Sequence, residues 1–168
     1  MAVRPFVMWP DARLATPCAD VAAIDDAVRA TWDDMIDTME AMPGLGLAAC
    51  QIGVMRRLAV VDASDARGRA VRMANPEIVM ASAETAARDE ASPNLPGLSA
   101  RVERPARVRV RFLDVRGTVV ERDYEGLWAR SVQHQIDHLA GRMFIDRLSR
   151  TRRAMLIARA RKLARKAG

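Results

Sequence analysis

Histidine, cysteine and aromatic residues are scarce in this chain: two His, two Cys, three Trp, three Phe and one Tyr among 168 residues. Cys18 and Cys50 stand in no C-x-x-C spacing and allow at most one bridge, so two reduced, packed thiols are expected. No apolar run approaches the ~20 residues that span a bilayer. The first ten residues lack the apolar core and small-residue cleavage site of a signal peptide. A cytoplasmic protein with no membrane contact is the expectation. Acidic residues are missing from one region altogether: from Arg147 onward there are nine basic residues and no acid. The other 18 of the 27 basic residues face 21 acids, so the excess positive charge belongs to the tail.

Half of the residues are hydrophobic, enough to bury a core, and the length suits a single domain over 1–168. Helical spacing of Ile24, Val28, Met35 and Met39 predicts a helix from Asp20 to Met42, ended by Pro43-Gly44. Arg57 to Val61 and Met73 to Met80 read as strands. Strict alternation over Arg107 to Phe112 predicts a strand with Val108, Val110 and Phe112 inward and its arginines in water. Arg116-Gly117 reads as a hairpin turn into Thr118 to Arg122. Trp128, Val132, Ile136 and Leu139 give a helix from Glu125 to Leu139, closed by Gly141. A basic C-terminal helix follows over 147–168, capped by Ser149, with Met155, Leu156, Ile157 and Leu163 as a partial apolar stripe. Its one-signed face suits phosphate backbones or acidic partners, or serves only as a solvated surface. Neighbouring hairpins with helices at the edges predict an α+β fold rather than βαβ units.

Both histidines fall in Gln133-His134-Gln135-Ile136-Asp137-His138. Four residues apart on a helix, His134 and His138 share a face and can converge on one divalent metal. Spacing alone more often reflects surface or core packing than a metal site. In hydrolytic helices of H-E-x-x-H type the glutamate is general base; here Gln135 holds that place, and an amide accepts no proton near neutral pH. Asp137 lies about 60° around the helix from His134, which favours a supporting role.

Three segments resemble the peptide deformylase family. Gly44-Leu45-Gly46-Leu47-Ala48-Ala49-Cys50-Gln51 is similar to its G-x-G-L-A-A-x-Q motif. Gln133 to Gly141 is similar to Q-H-E-x-D-H-L-x-G. The middle motif, E-G-C-L-S, corresponds without gaps to Glu90-Ala91-Ser92-Pro93-Asn94; a gapped alternative would use Pro96-Gly97-Leu98-Ser99. The resemblance implies a deformylase fold: antiparallel strands around a central helix carrying the histidine pair, then a C-terminal helix. It implies His134 and His138 as metal ligands, Ser92 in the place of the ligand cysteine, Gln135 in the place of the catalytic glutamate, and Gln51 as oxyanion donor. Leu45, Gly46, Gln51 and Leu127 would bind substrate. The backbone donor of the oxyanion hole would fall on Pro93, which has no N–H. The expectation is a monomeric deformylase-like protein that lacks or nearly lacks activity. Its cofactor state would be none, or iron, nickel or zinc held weakly. It would keep an N-formyl-Met peptide, or the ribosome through the basic tail, as partner. The alternative is an active metal-dependent deformylase acting on nascent-chain methionine.

Overall fold

The computed structural model describes residues 2–167, so Met1 and Gly168, the ends of the expected domain and tail, lie outside the described residues. Helix α1 runs Asp26–Ala41, later than the Asp20 start predicted. Asp25 is its N-cap, accepting from the Val28 amide at 2.9 Å. The preceding residues are drawn elsewhere: Ala19 and Val21 donate to the Met55 carbonyl and Asn75 Oδ1. Trp32, Met35 and Met39 of α1 are fully buried. They pack on one face of a five-stranded antiparallel sheet ordered β1-β2-β3-β6-β7. Its strands are β1 Gly46–Ala48, β2 Leu58–Val61, β3 Val71–Ala81, β6 Arg107–Leu113 and β7 Val119–Glu125.

In β6 the predicted alternation holds residue by residue: Val108, Val110 and Phe112 are buried and the three arginines exposed. Those arginines pair across the sheet surface with Glu84, Asp123, Glu77 and Glu121. Between β3 and β6 in sequence, a hairpin of β4 Thr85–Ala91 and β5 Ser99–Pro105 forms a separate two-stranded sheet.

Helix α2, Gly126–Leu139, carries the histidines and packs on the other face of the main sheet through Ala129, Val132 and Leu139. It stops at Gly141, whose backbone is left-handed (φ 78°). A side chain there would also stand 2.9 Å from the Ala15 backbone, so only glycine serves. Cys18 and Cys50 are buried and unbridged at this end of α2. The Cys18 amide and the Cys50 thiol donate to the Leu139 and His138 carbonyls.

Helix α3 spans Arg150–Ala167, with Ser149 Oγ accepting from the Arg152 amide. Leu156 and Ala160 are its buried residues, while Met155 and Leu163 are exposed at 62% and 43%. The apolar stripe is therefore narrower than predicted, because a positions-four-apart row suffices against Met143 to Ile145 and the β4–β5 hairpin. Among the described residues, no helix is long and apolar enough to cross a membrane.

Candidate functional site

Gly46 decides where the site can form. A Cβ at this position would stand 2.4 Å from Ser131 Oγ and 2.7 Å from Gln135 Nε2, so glycine lets α2 pass directly under β1. A cleft of about 670 Å³ opens above this crossing, of a size suited to a short peptide. Leu45, Gly46, Gln51, Ser92, Leu127, His134 and Gln135, seven of the eight residues expected to make the site, line it. The eighth, His138, lies just beneath, 1% exposed. Ser92 sits within 3.5 Å of the Gln51 amide, whereas Gly97, which the gapped alternative puts in the cysteine's place, is outside the cleft lining and faces Leu163 of α3, so the geometry favours the ungapped placement of the middle motif.

The Nε2 atoms of His134 and His138 are 3.2 Å apart. His134 Nδ1 lies 2.9 Å from Glu90 Oε1. Burial raises the Glu90 pKa, but hydrogen bonds from His134 and Arg104 outweigh it and bring it down to about 2. An ionised carboxylate only accepts, so His134 Nδ1 carries a proton and donates it to Glu90, which fixes the ring with Nε2 toward His138. Burial, and then the neighbouring His134, hold the His138 pKa well below its ordinary value, which leaves that ring uncharged.

Sequence reasoning missed the charged network that holds these rings. Arg104, 2% exposed, places Nε and Nη2 on the two oxygens of Glu90 at 2.6 and 2.9 Å, and Nη1 on Asp137 Oδ2 at 2.9 Å. Arg130 bonds Glu90 and the Ala86 and Val102 carbonyls. Arg147 bonds both Asp137 oxygens at 2.5 and 2.9 Å. Asp137 therefore faces arginines and not the imidazole pair, as its angular offset predicted. An inward arginine on β5 was signalled only weakly, by Val102 and Arg104 alternating with exposed neighbours; its partners are 14 and 33 residues away.

Asn94, also missed, fixes Gln51. It is fully buried, and its Oδ1 takes the Gln51 Nε2 at 2.7 Å while its Nδ2 donates to the Val7 and Gln51 carbonyls. Gln51 Oε1 accepts from the Ala48 amide at 2.8 Å, and Ser92 Oγ donates to Asn94 Oδ1 at 3.0 Å. The amide expected as an oxyanion donor is thus engaged within the protein.

For a metal, two donors fit and the set does not. Imidazole nitrogens 3.2 Å apart suit two bonds of about 2.0–2.1 Å to one ion. Beside them, however, stands a neutral hydroxyl already bonded to Asn94, and Glu90 is occupied by two arginines and a histidine. Among the described residues there is no group of three or more His, Cys, Asp and Glu side chains placed to hold an ion.

An antiparallel sheet crossed by a helix that carries an imidazole pair at the floor of a peptide-sized cleft defines an α+β protein with a candidate active site. A sequence model described as Polypeptide deformylase matches residues 3–154. A protein of Phenylobacterium zucineum named Peptide deformylase is 44% identical over 99% of this chain and 100% of its own length. One of Bradyrhizobium diazoefficiens named Peptide deformylase-like is 43% identical over 98% and 96%. The crystal structure of peptide deformylase from Ehrlichia chaffeensis superposes with a TM-score of 0.91 at 33% identity, covering 99% of both chains. This chain belongs to the peptide deformylase family.

Proposed function

We propose that this protein has kept the family's peptide cleft and lost, or nearly lost, its hydrolytic chemistry. The observation that carries the reading is the donor set: two imidazoles with Ser92, Pro93 and Gln135 around them supply neither an anionic ligand, nor a second oxyanion N–H, nor a base. Each deficit acts on a different part of the reaction. A missing general base alone slows a reaction by about 10²–10⁴. Without a held ion, the pKa of the attacking water returns from near 7 toward about 15.7. The intact cleft and the buried network beneath it support retention of a binding site for a methionine-led peptide.

The test joins metal analysis to turnover. Protein purified without chelator is expected to hold well under one iron, nickel or zinc per chain. It is expected to hydrolyse formyl-Met-Ala-Ser at the background rate even with those ions added. One tightly held ion per chain together with robust turnover would establish the alternative, an active deformylase.

The tail supports a second partner. On α3, Arg159, Arg161, Lys162 and Arg165 are exposed, while Arg153 pairs with Asp146 at 2.7 Å and Arg152 reaches the Arg101 carbonyl. We propose that the first four contact ribosomal RNA. Co-sedimentation with ribosomes is expected to weaken steeply between about 50 and 200 mM salt. Changing the four to glutamine, which preserves helix propensity, is expected to abolish it. Equal co-sedimentation of both proteins at low salt would reduce the helix to a solvated cover over the core.

A further inference from the structure

The reacting end of the cleft has an unusual balance of hydrogen-bonding atoms. Gln135 is 4% exposed and lines the cleft, and its Oε1 has no partner in the protein. The orientation of this amide follows from its neighbours. Ser131 Oγ donates its only hydrogen to the Leu45 carbonyl at 2.9 Å, so toward Gln135, 3.5 Å away, it can only accept. Nε2 must therefore face Ser131, leaving Oε1 as the free atom. A buried acceptor without a partner is destabilising, and a ligand N–H that reaches it, with a small turn of the amide toward the cleft, relieves that cost.

Donors are lacking at the same place. One Gln51 N–H goes to Asn94 and the other is directed to Ser92 Oγ; the Ser92 hydroxyl goes to Asn94; Pro93 has no N–H. A formyl oxygen brought against Gln51, Ser92 and Pro93 would find no free donor among them, and its desolvation there would go uncompensated. An unblocked peptide N-terminus is the complementary group, since an ammonium has three donors and no acceptor.

We propose that the cleft binds the free α-amino terminus of a methionine-led peptide in preference to its N-formylated form, the amine donating to Gln135 Oε1. The proposal rests on the reading of the cleft as a retained peptide site. It makes the protein a reader of the deformylated state, with Gln135 in a binding role.

Calorimetric titration of the purified protein with Met-Ala-Ser, formyl-Met-Ala-Ser and the desamino analogue 4-methylthiobutanoyl-Ala-Ser tests it. Met-Ala-Ser is expected to bind about 10-fold or more tightly than either of the others, the discrimination one charge-assisted hydrogen bond to a buried acceptor provides. Gln135→Met, similar in length but without the acceptor, is expected to erase the difference. Equal binding of the three peptides by the wild type, or tighter binding of the formylated one, overturns the proposal and leaves the peptide-site reading standing. No binding of any peptide at millimolar concentration overturns both. If Gln135→Met does not fold by circular dichroism, the wild-type comparison of the amine and desamino peptides decides alone.

Discussion

Arg104→Met is expected to lower the unfolding free energy by about 3 kcal/mol. Arg104 is 2% exposed and bonds both Glu90 and Asp137. Removing one partner of a buried ion pair leaves a charge desolvated and typically costs about 3–5 kcal/mol. The lower end applies because Arg130 and Arg147 would remain on the two carboxylates. The control is Arg109→Met. Arg109 makes an equally good bond to Asp123 (2.8 Å), but its side chain is 43% exposed, so a loss within about 1 kcal/mol is expected. Urea unfolding of the two variants decides. If Arg104→Met loses no more than the control, the network is ornamental and the histidines are held by packing.

Restoring the family's residues should produce the largest change in activity. Gln135→Glu, Ser92→Cys and Pro93→Leu together supply a base, an anionic ligand and a backbone N–H. The triple variant is expected to bind one metal ion per chain and to raise kcat/KM for formyl-Met-Ala-Ser by at least ~10²-fold over the wild type. Gln135→Glu alone is expected to stay at background, because groups that act as a unit do not contribute additively. Asn94 stands where the family motif has serine and ties down Gln51. Adding Asn94→Ser is expected to raise turnover again by freeing that amide, with some loss of stability, since Asn94 also anchors the Val7 carbonyl. A triple variant that holds metal but stays dead even with Asn94→Ser would show that the oxyanion account is incomplete.

How far the sequence could be read depended on the range of the interactions. Strand β6 was legible because alternation is a property of adjacent residues. Helix α2 and its paired histidines were legible because a helix turns four residues of sequence into one face. The β4–β5 hairpin was not. Thr-Ala-Ala-Arg-Asp-Glu-Ala has low strand propensity, and only Glu90 is buried along it. It is a strand because its partner carries Arg104, whose side chain reaches Glu90 on β4 and Asp137 on α2, a fact spread over about fifty residues of sequence. The late start of α1 has the same origin: Asn75 takes both the amide and the carbonyl of Val21 from far along the chain. The site was legible as a set of residues lining one cleft; which of their polar atoms were already engaged was not.

The hairpin's separateness has a consequence for how such a chain can drift. It shares no strand pairing with the main sheet, and Glu90, Arg104, Arg130 and Asp137 tie it to α2. His134 leans on Glu90, so the surroundings of the imidazole pair double as the joint between two parts of the fold. Selection against unfolding alone would then preserve most of what makes the protein look like an enzyme. Ser92, Pro93 and Gln135 line the same cavity as Glu90, Arg130 and His134 but form none of the joint's bonds, so exchanging them leaves the joint intact. The histidine pair and its carboxylate are in this way held by the bonds that join the two parts of the fold, independently of what the cleft above them does.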